Sequence, residues 1–189
     1  MKLRLFIAFP LTYGLKKKIG NLEEEINNKL KTKINWIPLD SLHLTILFLG
    51  HIVFEDYLKI EKIFDEFPWG YSEFKKPFFL KIKKIDFAPP GKNFMIWLYL
   101  EKDDRLERLK KIFEEKLNGE KINYKREERD FLPHINLCRL KNKINQQIKK
   151  DLNWSVVFNK IVLFESFLKK TGAEYEPKKI LELEEKEEN

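Results

Sequence analysis

The sequence is organised around one nine-residue stretch, LHLTILFLG at residues 42–50. Its apolar run, ended by glycine, is typical of a buried strand into which two polar residues are set. Because side chains alternate along a strand, we predict one face with Leu44, Ile46 and Phe48 and another with His43, Thr45 and Leu47. An imidazole and a hydroxyl would then project from the same face, roughly 7 Å apart along the strand.

A second stretch, FLPHINLCR at residues 131–139, repeats the same order of residue types. The chain has three histidines, and two of them, His43 and His134, head these two segments. Thr45 and Asn136 each follow two residues later, on the predicted face of the histidine. Since three histidines would rarely produce this pattern twice by chance, the repetition indicates one site built from both segments.

Composition limits the class of protein. The 189 residues suit one domain or two small lobes, and 43% hydrophobic with 14% aromatic residues is typical of a globular chain.

The longest apolar runs, such as 94–100, are too short to span a bilayer. Residues 1–10 resemble a signal peptide superficially, but Arg4 interrupts them and no small-residue cleavage site follows, so we predict a first strand. A single cysteine, Cys138, excludes an internal disulfide and favours a cytoplasmic protein.

The charge balance favours an anionic partner only modestly. The formal charge is +7 and the isoelectric point is near 9.2, and lysine supplies most of the positive charge. Lysines distributed in this way usually coat solvated helix faces, and a lysine- and glutamate-rich surface is equally typical of thermophile ion pairs. Charge alone therefore identifies no ligand.

The periodicity predicts strands and helices in mixed order, with an antiparallel α+β fold in two similar halves. The predicted strands are 2–9, 42–49, 77–87 with a bulge at Lys83-Lys84, 94–100, 131–139, 154–158, 160–168 and 175–183. The predicted helices are 12–31, 54–67 closed by 68–70, 104–117 opened by a capping box of Asp104 and Glu107, and a short one near 145–151. We expect one bilobal domain over 1–184 and a frayed acidic tail at 185–189.

Two imidazoles facing one substrate are a general acid and a general base at neutral pH. An ordinary histidine pKa near 6.5 lets one ring be charged while the other is neutral. The Thr45 hydroxyl and the Asn136 amide could each donate a hydrogen bond to a tetrahedral anion between the rings. Charge that develops on that anion in the transition state would be stabilised there.

Other interpretations of these residues are a structural role in the core or a different kind of site. A single strand histidine is more often a core residue satisfied by a backbone group, and only the duplication argues against this. A zinc site lacks ligands, because there is no second cysteine and no H-x-x-x-H or H-E-x-x-H spacing. No glycine-rich phosphate loop is present either. His51, just past Gly50, is expected to be a surface residue.

The motifs resemble those of the 2H phosphoesterases, specifically the RNA 2′,3′-cyclic phosphodiesterase branch, historically called 2′-5′ RNA ligases. The resemblance is carried by LFIAFP at 5–10, WIP at 36–38, HLTI at 43–46, FLG at 48–50, Trp97, FLPH at 131–134 through Arg139, FES at 164–166 and TGAEY at 171–175. It implies a bilobal fold, in which two pseudo-symmetric lobes with antiparallel sheets flank a central cleft and carry their helices outside.

The resemblance also implies an activity, namely hydrolysis of RNA 2′,3′-cyclic phosphate ends to 2′-phosphates without metal or other cofactor. His43 would be the proton donor and His134 the proton acceptor. The implied partner is RNA with cyclic phosphate ends, such as tRNA fragments, or cyclic nucleotides, and a cytoplasmic monomer is expected.

Further site residues follow from the same resemblance. Thr45, Asn136 and Arg139 would bind the phosphate. Apart from the resemblance, Phe131 could stack on a base, although an aromatic residue in a core strand is more often a packing residue. A straight strand places Arg139 on the face opposite His134, so a bulge or a strand end is needed to bring it to the site.

One residue departs from the family pattern, because Asn136 stands where the second motif has Thr or Ser. An amide still donates to phosphate, but it is planar and about one bond longer. Two alternatives therefore stay open. The chain could be a non-catalytic RNA-end binder, or it could join a cyclic phosphate end to a 5′-hydroxyl without ATP, which needs the same residues.

Overall fold

The computed structural model describes residues 1–30, 34–127, 129–141, 144, 146–169 and 172–184. Eight strands and three α-helices make up the described chain. The strands are β1 (Lys2–Pro10), β2 (His43–Val53), β3 (Phe78–Ala88), β4 (Met95–Leu100), β5 (His134–Arg139), β6 (Lys150–Phe158), β7 (Lys160–Lys169) and β8 (Gly172–Glu182). The helices are α1 (Tyr13–Leu30), α2 (Phe54–Asp65) and α3 (Asp104–Gly119). Two short 3₁₀ turns cover Leu39–Ser41 and Ser72–Lys75.

The strands form one sheet in the order β6-β3-β4-β5-β2-β1-β7-β8, and neighbours in it are antiparallel. The predicted α+β class with antiparallel pairing is confirmed. The two histidine strands are neighbours at the centre, where β2 and β5 share the single pair Leu44–Ile135. This pair divides the sheet into a His43 half (β1, β2, β7 and β8) and a His134 half (β3, β4, β5 and β6).

The main hydrophobic core lies between one face of this sheet and the helices. Leu44 and Ile135, at the centre of the sheet, have no exposed surface and belong to that core. Helix α1 contributes to it with apolar residues at helical spacing: Leu15, Ile19, Leu22, Ile26 and Leu30. The opposite face of the sheet carries a separate small cluster that includes Trp97 and Tyr99. The polar residues of the two motifs lie on this second face.

A bulge in β2 changes the predicted alternation of side chains. Thr45 pairs with Ala8 and Leu47 with Ile7, so Ile46 is an extra residue without a partner on β1. Ile46 and Leu47 are consequently both buried. The prediction that Leu47 lies on the histidine face and Phe48 on the core face is wrong, because the extra residue exchanges the two faces until a second register shift at Leu49 restores them.

The same irregularity occurs in β5. Asn136 pairs with Trp97 and Cys138 with Ile96, so Leu137 is the extra residue. Leu137 and Cys138 are both fully buried, and Arg139 pairs with Met95 on the site face of the sheet. This is the bulge that Arg139 needs to reach the face of His134.

Two other predictions about local structure need correction. The helix expected near 145–151 is absent from its described part, since 146–149 are irregular and Lys150 already pairs with Ile85 of β3. Sheet pairing prevails there over a short polar helical pattern. The cap of α3 is Asp103, whose carboxylate accepts a hydrogen bond from the Leu106 N–H at 2.8 Å, one residue before the predicted Asp104. The predicted bulge in β3 is confirmed by a register shift between Ile82 and Lys84.

Several expectations fall on residues outside the described part, namely the tail at 185–189, the last predicted residue of the first helix and the first residue of the TGAEY motif. Within the described part, no helix is both long and apolar enough to cross a membrane. Cys138 is a buried free thiol.

Candidate active site

Each motif histidine is held by its own backbone in the same way. Nδ1–H of His43 donates to the carbonyl oxygen of Ser41 at 2.8 Å, and Nδ1–H of His134 donates to that of Leu132 at 2.7 Å. Because a carbonyl oxygen only accepts, Nδ1 of each ring must carry the proton. Nε2 of each ring is therefore the nitrogen that can give or take a proton during a reaction.

The strand register brings the four motif residues together. In an antiparallel ladder the pair Leu44–Ile135 places His43 opposite Asn136 and Thr45 opposite His134. The two histidines thus occupy one diagonal of a four-residue group, and the two hydrogen-bonding residues occupy the other. This arrangement has a local two-fold relation about the central pair, so an anion over that pair would meet both histidines and both donors.

Aromatic neighbours surround the two rings differently. His134 stacks on Trp97, with ring centroids 3.5 Å apart and an interplanar angle of 17°. His43 instead contacts Phe6 at 4.8 Å and meets Tyr175 edge-on at 5.0 Å. Both rings are half-buried among these neighbours, and both have Nδ1 bonded to backbone.

Burial lowers the pKa of both histidines below the ordinary 6.5. For His43 the backbone bond to Ser41 opposes that effect, while the charge of His134 lowers the pKa further, so the two rings influence each other's protonation. For His134 the bond to Leu132 and nearby Glu127 raise the pKa, and Arg129 lowers it. Desolvation is the largest cause at both rings.

A cavity of about 460 Å³ opens over Thr45, His134 and Asn136. Asn136 Oδ1 is buried and has no hydrogen-bond partner among the described residues. Because that oxygen is shielded, the amide nitrogen is the atom that Asn136 can present to the cavity. Trp97 Nε1, on the cross-strand partner of Asn136, is also buried and unpaired in the described part of the chain. The cavity therefore offers a hydroxyl from one motif and an amide donor from the other.

Of the remaining predicted residues, His43 and Arg139 do not line this cavity, whereas Phe131 does. Lys110 Nζ lies 5.8 Å from the centre of the Phe131 ring. Arg139 is exposed on the site face and does not line the cavity itself. Arg139 is therefore a residue of the cavity rim. The third histidine, His51, is exposed as expected.

Three residues that line the cavity, Glu127, Arg129 and Lys110, were not singled out from the sequence. Phe48 and Trp97 were named in the family resemblance but not as site residues, and the structure shows that Phe48 lines the cavity and that Trp97 stacks on His134. Phe48 was assigned to the wrong face because its bulge depends on the partner strand. Within the described residues, no group of three or more metal-ligating side chains is found.

A family model described as the AKAP7 2′5′ RNA ligase-like domain matches residues 5–185. The chain belongs to this family. The match covers both histidine motifs and the eight strands from Leu5 of β1 to the end of β8. It confirms the resemblance to the 2H phosphoesterases and the fold class predicted from it.

Relatives and solved structures agree with this family. A protein of Methanocaldococcus jannaschii named RNA 2′,3′-cyclic phosphodiesterase is 28% identical over 184 residues, covering 92% of this chain and 97% of the relative. One of the same name from Aquifex aeolicus is 25% identical over 183 residues, covering 91% and 93%. E. coli LigT complexed with 3′-AMP has a TM-score of 0.76 at 21% identity, with 98% of this chain and 100% of that chain covered. The structural likeness shows the shared fold.

Proposed function

We propose that this protein hydrolyses RNA 2′,3′-cyclic phosphate ends to 2′-phosphates by two-histidine acid–base catalysis. The observation that carries the proposal is the matched pair of imidazoles, each with Nδ1–H bonded to the carbonyl two residues earlier. A group with a fixed tautomer and an available Nε2 is what proton transfer requires. The names of the relatives from M. jannaschii and A. aeolicus support the same substrate class.

In the proposed reaction, His134 is the base. Its Nε2 takes a proton from a water whose oxygen attacks the phosphorus and forms the new P–O bond. The bond from phosphorus to the 3′ oxygen breaks, and His43 Nε2–H gives its proton to that oxygen. The products are a 3′-hydroxyl and a 2′-phosphate, and one further proton exchange with solvent restores both rings.

Thr45 and Asn136 are proposed to hold the two non-bridging oxygens. Each residue lies beside the histidine of the other strand in the central register, so the two donors approach the phosphate from opposite sides. Their hydrogen bonds strengthen as charge develops on these oxygens, which is where such donors contribute most to the rate. Arg139 would add a cation at the rim, and Phe131 would stack on the terminal base.

The lowered pKa values of the two histidines are compatible with His134 as base and His43 as acid once substrate is bound. A neutral base is favoured directly by burial of His134. The acid, His43, must be protonated, and the negative charge of the bound phosphate raises its pKa toward that state. The chemistry is supplied in full by these side chains, so we propose that it is independent of metal ions.

Joining of RNA ends would use the same site, and the family description itself includes 2′-5′ RNA ligase-like proteins. In that reaction the 5′-hydroxyl of a second RNA replaces water as the nucleophile, the bond from phosphorus to the 3′ oxygen breaks, and a 2′-5′ linkage forms. Hydrolysis is preferred as the proposal because water is present at far higher concentration than any RNA end. We further propose that residues 1–184 act as one domain, and that the protein is a cytoplasmic monomer.

The decisive experiment is incubation of the purified protein, with EDTA present, with an oligonucleotide that ends in a 2′,3′-cyclic phosphate. We expect conversion to a terminal 2′-phosphate, identified by mass and by comparison with 2′- and 3′-phosphate standards. A 3′-phosphate product would refute the proposed direction of ring opening. A cyclic end that stays unchanged while the RNA is bound would support a binding protein with chemistry weakened by Asn136.

A further inference from the structure

A second groove begins where the active cavity ends. It has a volume of about 450 Å³ and is lined by residues of β1, β2 and the segment before β5, including Arg4, His51, Tyr124 and Lys125. Phe48 lines both this groove and the active cavity. One phenyl ring therefore separates the phosphate site from a neighbouring basic groove.

Two cations lie against that ring. The guanidinium carbon of Arg4 is 4.9 Å from the centre of Phe48, and Lys125 Nζ is 5.8 Å from it. Both distances are within the range of a cation–π contact. Arg4 also donates to the Ser166 hydroxyl at 2.6 Å, which fixes the guanidinium without neutralising its charge.

The positive charge of the groove is not cancelled nearby. Within the part of the chain that the structure describes, neither Arg4 nor Lys125 forms an ion pair with a carboxylate. Many other lysines do, for example Lys16 with Asp40 and Lys150 with Glu25. The charges of Arg4 and Lys125 are therefore available to an anion in the groove.

A backbone hydrogen bond holds Lys125 close to β2. Its N–H donates to the carbonyl of Leu49 at 2.9 Å. At the next residue, Gly50 has φ of +77°, and a Cβ there would come within 3.2 Å of Lys125 Cβ. A glycine at the end of the first motif therefore both turns the strand and admits the segment that carries Lys125. The same segment continues through Glu127 and Arg129 to line the active cavity.

The chemistry of the substrate defines what can extend into this groove. A 2′,3′-cyclic phosphate is a 3′ end, so the remainder of an RNA leaves the site only from the 5′ side of the terminal nucleotide. The next anionic group along that path is the phosphodiester 5′ to the terminal nucleoside. A basic groove with an aromatic wall is the pattern by which proteins bind single-stranded nucleic acid.

We infer that the groove of Arg4 and Lys125, behind Phe48, is a second subsite that binds the backbone phosphate 5′ to the terminal nucleotide. This inference rests on the proposed function for the location of the RNA end. With this subsite, the preferred substrate of the protein is an oligonucleotide and not a cyclic mononucleotide.

The test is a salt titration of binding. The probe is a 5′-fluorescein tetranucleotide ending in 2′-phosphate, and the readout is the dissociation constant by fluorescence anisotropy. Each phosphate neutralised on single-stranded RNA contributes about 0.7 to the slope of log affinity against log salt. We expect Lys125→Gln to lower that slope by about 0.7 and to weaken binding roughly three- to tenfold. Lys125→Arg should retain the slope.

The matched control is Lys17→Gln, which removes the same charge from an exposed position of α1 that lines neither cavity. Its slope should equal that of the unaltered protein. Equal slopes for Lys125→Gln, Arg4→Gln and Lys17→Gln would overturn the inference. Arg4→Gln alone would not decide it, because that change also removes the bond to Ser166.

Turnover separates this inference from the proposed function. The ratio of kcat/KM on the cyclic tetranucleotide to that on a cyclic mononucleotide should fall in Lys125→Gln roughly three- to tenfold. A protein that hydrolyses both substrates with an unchanged ratio would refute the second subsite and leave the proposed function intact. A protein that hydrolyses neither, but binds the tetranucleotide with the Lys125-dependent slope, would refute the proposed function and support the subsite.

Discussion

The His43 half and the His134 half of the sheet repeat the same local design. Each has a histidine whose Nδ1–H bonds to the carbonyl two residues earlier, and each has a bulge directly after the hydrogen-bonding residue. The bulges bring the residue five positions after each histidine, Phe48 and Arg139, onto the site face. These features recur in both motifs, so the backbones of the two halves are equivalent around the histidines.

The halves differ in what packs against the motif. The cross-strand partner of Asn136 is Trp97, which stacks on His134, whereas the partner of Thr45 is Ala8. On the His43 side the space is filled from further away, by Phe6 and Tyr175. Two equivalent backbones thus hold their imidazoles in different surroundings, which is how one motif can serve two roles in a reaction that needs an acid and a base.

The largest expected effect comes from removing either histidine. His43→Ala and His134→Ala should each lower kcat on an RNA cyclic phosphate by about 10²- to 10⁴-fold, and the double variant should lose little more than the worse single one. A substrate whose 3′ oxygen is replaced by sulfur distinguishes the halves, because a thiolate leaves without a proton. Activity on it should recover in His43→Ala and stay low in His134→Ala.

The converse pattern, recovery only in His134→Ala, would exchange the acid and the base between the halves. Normal hydrolysis by either variant would refute the two-histidine mechanism altogether. Thermal melting of each variant checks that the fold is retained.

The next effect concerns the two hydrogen-bond donors. Thr45→Val and Asn136→Leu each remove one donor at similar shape, and each should lower kcat by about 10²-fold if both hold the phosphate. Asn136→Thr should keep activity within about tenfold of the unaltered protein, since a hydroxyl replaces the amide. Single-turnover rates with saturating enzyme measure these changes.

A loss in Thr45→Val without a loss in Asn136→Leu would show that only the His43 half donates to the phosphate. Thr45→Ser, which keeps the hydroxyl, is the matched control.

The pH dependence should reveal both histidines at once. The pKa of each is lowered by burial from 6.5, and the reactive form has one ring charged and the other neutral. Above both pKa values the acid is lost, and below both the base is lost, so kcat/KM should be bell-shaped with its maximum below pH 6.5. Steady-state kinetics between pH 4.5 and 8 checks this, and a maximum above 6.5 would contradict it.

The smallest effect concerns buried polar groups behind the two halves. Ser166 in the His43 half accepts a hydrogen bond from Arg4, whereas Glu23, close to Cys138 of β5, has a buried Oε1 without a partner in the described chain. Burial raises the pKa of Glu23 from 4.5 to about 7. The folded state therefore holds this proton more tightly than the unfolded state does, and the resulting stability is present below pH 4.5 and lost as pH rises through about 7.

Glu23→Gln, which mimics the protonated form, should be more stable than the unaltered protein at pH 8 by about 1–2 kcal/mol, with the difference vanishing near pH 4.5. Urea denaturation at both pH values measures it. Glu24→Gln, at the exposed neighbouring position, is the control and should show no such pH-dependent difference.

Much of the fold was predictable from local patterns. The apolar spacing of α1 and the bulge of β3 depend on residues close in sequence, and both were found where the periodicity placed them. The helix expected near 145–151 failed because its weak local pattern competes with pairing to β3, which lies more than sixty residues earlier in the chain. Local propensity decides an element only where no distant strand offers better hydrogen bonding.

By itself, the sequence determined the chemistry available to this protein. It specified two histidines, each followed two residues later by a hydrogen-bonding side chain, and the apolar positions that bury the strands beneath them. Only the tertiary structure decided which side chains meet. The adjacency of Leu44 and Ile135, the stacking of Trp97 on His134 and the facing of Phe48 toward Arg4 and Lys125 all depend on strand pairing. The bulges of β2 and β5 lie in apolar runs whose pattern does not mark them, so they become visible only in the pairing with β1 and β4.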